Sequence, residues 1–376
     1  MKKAIAILLA LVLMFGAALP AFAFPMTDEG EDETFGIAKG YVRTKEVQKN
    51  SDGSSNSVVT SYNKQGKPVK QVETWKEKDY TSTTTTVSSY DKKGNLTEEI
   101  IYYNDYVSTS TYVYNKAGQE TKYVHRVDFE DNTSMTTTTL TTYNKAGKEA
   151  KKVSYHDDSV ETTVYTYNKA GKLTKEVTNE VYEDNTKDTM STSYTFDKKG
   201  NEIKMVMTYK DRFGTNEKRT YVSEYNKKNL CVKKTEQYSF TDSDGIVDKT
   251  VNVSTYTYDK KGNVTNETFK STYSDGSKRT VTFVSTYNES GKLVKQVTTE
   301  KSDEYSGKTT TSYAYKSGRL VKETTVIKDS DGTTKTVETY AYDKAGNLTK
   351  HVNSGSYYDG TTSKYTTTYA YQKIGA

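Results

Sequence analysis

An aromatic residue followed by a short polar turn recurs twelve times in this chain, at Tyr62, Tyr90, Tyr114, Tyr143, Tyr167, Phe196, Tyr225, Tyr258, Tyr287, Tyr315, Tyr342 and Tyr371. The intervals average about 28 residues, running from 24 to 29 with a single step of 33 between Tyr225 and Tyr258. A period of that size marks a tandem array of small supersecondary units, each too small to bury its own apolar face.

The residues after each anchor say what the units are. In Tyr-Asn-Lys-Ala-Gly-Lys at 167–172 and Tyr-Asp-Lys-Lys-Gly-Asn at 258–263, Asn or Asp can hydrogen-bond its own downstream backbone. The Gly three positions on can take the left-handed conformation that closes a type I turn with a bulge. At 226–229 the turn reads Asn-Lys-Lys-Asn, and Asn229 is the best substitute for Gly at positive φ. Tyr315-Lys316-Ser317-Gly318 is one residue shorter, which predicts a tighter loop.

Runs such as Leu173-Thr174-Lys175-Glu176-Val177 follow, with Leu and Val at one parity, as in a strand. A second, acidic or Gly-bearing turn then leads into a Thr-rich return strand ending in aromatic-x-aromatic. Each unit therefore reads strand, turn, strand, turn, with no room for a crossover. The expected fold is all-β: an antiparallel meander of about 22 strands over residues 41–376, in about eleven units, forming an elongated, twisted or spiralling sheet. Exposed edge strands at its two ends would favour end-to-end self-association.

Lys2 and Lys3, the apolar run Ala4 to Leu19, and Ala21-Phe22-Ala23 form a Sec-type signal peptide over residues 1–23. Residues 24–40, with Asp28 to Glu33, read as an acidic flexible leader. No transmembrane segment is expected after cleavage, and the protein is expected to be secreted, extracellular or cell-surface associated, or periplasmic in a Gram-negative cell. With Cys231 as its one cysteine the chain has no internal disulfide available. The 54 basic and 49 acidic residues give a net charge of +5 and read as scattered, so no nucleic-acid partner is expected. A lipid-spanning barrel is disfavoured, because a mean hydropathy of −0.87 leaves no continuous apolar outward face.

Tyr90-Asp91-Lys92-Lys93-Gly94-Asn95-Leu96-Thr97, and the matching segments that begin at Tyr258 and Tyr342, resemble the tyrosine-aspartate repeats of the Rhs-type family. The resemblance extends over residues 62–376 and implies a secreted or surface β-rich protein, sheets that can spiral into shells, and in some members carbohydrate binding or packaging of a toxin domain. This chain departs from the pattern: six anchors are followed by Asn, Lys316 and Gln372 stand where Asp is expected, and the units are longer. The chain is short for a shell and no toxin domain follows Tyr371, so a toxin-packaging role is not expected.

Candidate chemistry is sparse. His125, His156 and His351 fall in different repeats at unmatched offsets, and Cys231 has no recurring partner, so no catalytic residue, metal site or cofactor is expected and the chain does not read as an enzyme. Asp242-Ser243-Asp244-Gly245 and Asp329-Ser330-Asp331-Gly332 open like calcium loops but lack the closing acidic ligand, and so read as hairpin turns. The first rings of the aromatic pairs, Tyr112, Tyr165, Tyr194, Tyr256, Tyr313, Tyr340 and Tyr369, are the candidate ligand-binding residues, as stacking platforms for glycan or cell-wall polymer. The expected role is a binding or adhesion module for such a polymer; the alternative is a structural spacer or matrix component in which the tyrosines serve packing alone.

Overall fold

The computed structural model describes Ile37, residues 40–303 and residues 305–374. The expected signal peptide, and all of the acidic leader except Ile37 and Gly40, lie outside the described residues. The described chain is a meander of 24 strands. The first twelve are β1 (Tyr41–Asn50), β2 (Ser55–Tyr62), β3 (Pro68–Lys76), β4 (Thr81–Tyr90), β5 (Leu96–Tyr102), β6 (Tyr106–Tyr114), β7 (Glu120–Phe129), β8 (Ser134–Tyr143), β9 (Glu149–Tyr155), β10 (Ser159–Tyr167), β11 (Leu173–Tyr182) and β12 (Lys187–Phe196). The remainder are β13 (Glu202–Lys210), β14 (Asn216–Tyr225), β15 (Cys231–Thr241), β16 (Val247–Tyr258), β17 (Val264–Tyr273), β18 (Lys278–Tyr287), β19 (Leu293–Ser302), β20 (Ser306–Lys316), β21 (Arg319–Lys328), β22 (Thr333–Tyr342), β23 (Leu348–Ser356) and β24 (Thr362–Lys373). The intervals between anchors account for β3 to β24, and the hairpin β1–β2 ahead of the first anchor supplies the rest. The long step from Tyr225 to Tyr258 is taken up by two of the longer strands, β15 and β16, of 11 and 12 residues.

The anchor turns follow from their side chains. Asp91 Oδ1 accepts from the backbone N–H groups of Lys93 and Asn95, at 2.8 and 2.9 Å, while Asn95 Nδ2 donates to Asp91 Oδ2 at 2.9 Å. The same exchange joins Asp197 to Asn201, Asp259 to Asn263 and Asp343 to Asn347. Where Asn opens the turn, its partner four residues on is more often Lys, and that amine reaches across to the next turn instead: Lys148 donates to the carbonyl of Gly171, and Lys172 and Lys292 to those of Gly200 and Gly318. Asp with Asn, or Asn with Lys, are thus two ways of satisfying one loop. Asn229 takes φ 69°, as its place in the turn requires, and the shortened loop is a pair, Ser317 and Gly318, both at positive φ.

Every anchor also sits at a register shift in its hairpin. Tyr167 pairs with Leu173 but Thr166 pairs with Lys175, so Thr174 is an extra, bulged residue. Its hydroxyl donates to the carbonyl of Thr166 at 3.1 Å, and Thr97, Thr121, Thr265 and Thr349 make the equivalent bond in their hairpins. The bulge overturns the single-parity reading of Leu173 and Val177: Leu173 shares a face with Tyr167, whereas Val177 pairs with Val164 on the other.

The sheet is not an open spiral. β1 pairs antiparallel with β24 from Tyr41–Lys373 to Asn50–Tyr365, closing a barrel. The edges on which end-to-end association was expected are paired with each other. Followed from partner to partner once around, the register advances by about 24 residues, one per strand. Equal stagger and strand number tilt the strands by about 36° from the barrel axis, and a strand spacing of ~4.8 Å then makes the wall on the order of 45 Å across. Buried apolar side chains are few among the described residues, namely Val281, Leu320 and Leu348. Strand pairing and half-buried tyrosines replace a conventional core.

Candidate functional site

Because directly paired residues share a face, the register sorts every strand into two sides. One side carries the aromatic pairs. There the anchor ring leans across the neighbouring strand and its hydroxyl donates to the backbone carbonyl at the bulge of the preceding hairpin: Tyr143 to Glu120 at 2.6 Å, Tyr225 to Glu202 at 3.0 Å, Tyr287 to Val264 at 3.0 Å, Tyr342 to Leu320 at 2.9 Å and Tyr371 to Leu348 at 2.7 Å. Where such an anchor is the second ring of a pair, as in Tyr258, Tyr315, Tyr342 and Tyr371, that ring is committed to joining one repeat to the next.

The first rings have different surroundings. Tyr165, Tyr256, Tyr313 and Tyr369 lie directly across from carboxylates, Glu176, Glu267, Glu323 and Glu46. Tyr112 packs on Tyr123 with ring centroids 5.2 Å apart. Tyr340 stacks on His351 at 4.8 Å and donates to Glu338 at 2.7 Å, and the Arg43 guanidinium lies 4.5 Å over the ring of Tyr369. Tyr194 lies across from Met205. All seven are half-buried. Burial, and after it the nearby Glu149 and Glu176 charges, push the Tyr165 phenol up to about 12; burial and Glu323 do the same for Tyr313. Glu267 and Glu323 are themselves pushed up by burial, so this face holds rings beside partly desolvated carboxylates. Such a surface offers apolar faces for stacking and acceptors for hydroxyl groups.

The other side is chemically opposite. Counting each strand inward from its anchor or its anchor's partner, the tyrosine face carries seventeen Asp or Glu and five Lys or Arg. The opposite face carries twenty-four Lys or Arg and three carboxylates, Glu98, Asp128 and Glu224, among Val, Thr and Ser. The charges that read as scattered along the chain are sorted by face in the fold. The sequence signal was the Lys two residues after ten of the twelve anchors' partners, as in Leu173-Thr174-Lys175, hidden because the bulge reverses parity.

The two faces also differ in crowding. Small polar residues on the tyrosine side are buried, with Ser271 and Thr367 at 3% exposure, whereas Val113 on the other side is 52% exposed. Neither face presents the apolar band of ~25 Å that contact with lipid tails needs. On β13 the lysine-bearing face places Lys204 and Lys210 either side of only Val206 and Thr208. No helix among the described residues is long and apolar enough to cross a membrane.

The remaining candidates are absorbed by local structure. His125 contacts the Ser110 hydroxyl at 3.2 Å and His156 that of Thr137 at 3.3 Å. The Cys231 thiol is half-buried and pushed up by that burial. Asp242 and Asp329 accept from their own turns, Asp242 from the N–H groups of Asp244 and Ile246 and Asp329 from those of Asp331 and Gly332. Among the described residues no group of three or more His, Cys, Asp or Glu could hold a metal ion.

No protein-family model matches the sequence, and no curated protein matches it. Among solved structures, a porin-like protein from Bacteroides uniformis ATCC 8492 aligns at 16% identity over 59% of this chain and 91% of that one, with a TM-score of 0.29. A score that low does not establish a shared fold.

Proposed function

We propose that the barrel is an extracytoplasmic binding module for a glycan or cell-wall polymer, and that its ligand surface is the tyrosine face, turned toward the barrel interior. The observation that carries the reading is a division of labour between the two rings of the aromatic pairs, clearest at Tyr256 with Tyr258 and Tyr313 with Tyr315. Second rings such as Tyr258, Tyr315, Tyr342 and Tyr371 are spent on an inter-repeat hydrogen bond, while first rings such as Tyr165, Tyr256 and Tyr313 stand half-buried beside a carboxylate. Similar pairs recurring around the wall suit a polymer with a repeating unit, which engages many weak sites at once. The interior placement follows from the crowding: side chains converge on the concave side of a closed sheet and splay on the convex side. Adjacent Cys substitutions on β13 read it directly. In a Cys231→Ala background, Thr208→Cys labelled with biotin-maleimide should capture streptavidin and Met207→Cys should not; the reverse pattern would place the tyrosines outside.

Affinity electrophoresis of the chain from residue 24 through gels containing soluble polysaccharides and cell-wall fragments tests the function. Retardation by one polymer class should fall about tenfold or more in the triple variant Tyr165→Ala, Tyr256→Ala, Tyr313→Ala, given ~0.5–1.5 kcal/mol per ring contact, with β-sheet circular dichroism unchanged. Equal retardation of the variant, or none by any polymer, would leave the tyrosines as packing and the chain as a spacer.

A further inference from the structure

The lysine-bearing face has an order that folding does not require. At its first position past the bulge, ten of the twelve odd-numbered strands carry Lys, from Lys45, Lys70 and Lys122 through to Lys295, Lys322 and Lys350. The stagger of one residue per strand keeps equivalent positions at one height, so the row closes into a level ring. With strands ~4.8 Å apart and tilted ~36°, neighbouring amines in an unbroken stretch recur about every 12 Å. All members but Lys233 are exposed, and among the described residues Lys233 is the one in an ion pair, with Glu224 at 3.0 Å.

Like charges held in a row repel one another and weaken the sheet that carries them. The sheet had an easy remedy, since its acidic residues are numerous, yet all but Glu98, Asp128 and Glu224 lie on the opposite face, and only Glu98 stands in the row itself. We propose that the lysine ring is the docking surface for a flexible, linear polyanion bearing phosphodiester or phosphate charges, which follows the girth of the barrel. Charge complementarity sets the sign of the partner and curvature sets its form. A flat anionic bilayer would meet only a few lysines of a ring around a wall on the order of 45 Å wide. Duplex DNA, with a persistence length of about 50 nm, bends around so tight a girth only at considerable cost. A flexible chain meets the ring without either difficulty. The proposal uses the outward placement of this face but not the glycan reading of the other, and the labelling of Thr208→Cys tests that placement separately.

The test is binding of fluorescein-labelled long-chain inorganic polyphosphate to the chain from residue 24, followed by anisotropy across a salt series. Binding should be saturable at physiological ionic strength. The variant Lys122→Gln, Lys151→Gln, Lys175→Gln, Lys204→Gln should weaken it at least tenfold and flatten the log–log salt slope by about 3, since each lost contact to a single-stranded polyanion removes ~0.7. The equal-charge control Lys92→Gln, Lys145→Gln, Lys169→Gln, Lys198→Gln, in the exposed anchor turns, should change it by less than about twofold. Equal losses in the two variants would reduce the effect to net charge and overturn the proposal, as would an absence of saturable binding. Tighter binding to phosphatidylglycerol vesicles or to duplex DNA than to polyphosphate would overturn the assigned partner.

Discussion

Deleting residues 362–376, which removes β24, should lower the melting temperature by on the order of 10 °C and shift the protein to larger species on size-exclusion chromatography. β24 makes nine cross-strand pairs with β1 and seven with β23, and Tyr371 adds the hydroxyl bond that ties the last anchor to Leu348. Each backbone bond contributes ~0.5–1.5 kcal/mol net, partly offset by releasing the ordered strand, so a net loss of roughly 5 kcal/mol is the expected scale. The larger consequence is topological. In the closed sheet every described strand has two neighbours; without β24, β1 and β23 each expose a row of unpaired donors and acceptors. Those two edges are antiparallel partners for a second copy, which is why association should accompany the loss of stability. Sedimentation and thermal melts that match those of the intact chain would show that β1 and β24 do not pair in solution, and the sheet would then be open.

Closure was the part of the fold hardest to read from the residues. The repeat, the hairpins and the turn conformations were legible because each rests on local chemistry: Asn229 at positive φ, the two-residue loop at Ser317-Gly318, and the long step that became β15 and β16. A barrel requires the last strand to find the first, and β1 lies ahead of the first anchor, where Tyr41-Val42-Arg43-Thr44-Lys45 lacks the repeat's turn signature. It is nonetheless built on the same plan, for Arg43 pairs with Tyr371, Lys45 pairs with Ala370, and Thr44 is the bulged residue between them. The seven first-ring tyrosines were legible as a shared face through period-two spacing. Their carboxylate partners and the lysine ring were not, because one bulged residue in each hairpin reverses the parity on which such a reading depends.

Raising the pH should unfold the barrel more steeply than lowering it. The tyrosine face holds its phenols protonated: burial, then neighbouring charge, pushes Tyr165, Tyr258 and Tyr313 up to about 12, and burial is likewise the first cause of the upward shifts of Tyr194, Tyr256 and Tyr369. An unfolded chain loses these protons near pH ~10. The folded-state values are raised, so the stability they confer is complete below about pH 10 and is lost as the pH climbs toward 12. All of them act in one direction. On the acid side the carboxylates divide. Bonds from Asn95, Asn201 and Asn263 hold Asp91, Asp197 and Asp259 below the usual carboxylate range, a contribution present above pH ~4 and lost as the pH falls through their folded values. Burial raises Glu161, Glu267 and Glu323, so protonating those groups relieves a cost and offsets part of that loss. The larger part of the tyrosinate absorbance at 295 nm, recorded with far-ultraviolet circular dichroism, should therefore appear above pH 10, in one steep step as the β-sheet signal collapses. A gradual titration centred near pH 10 with the sheet signal intact would mean that the tyrosines are freely hydrated, and that they neither join the repeats nor sit beside buried carboxylates in the manner described.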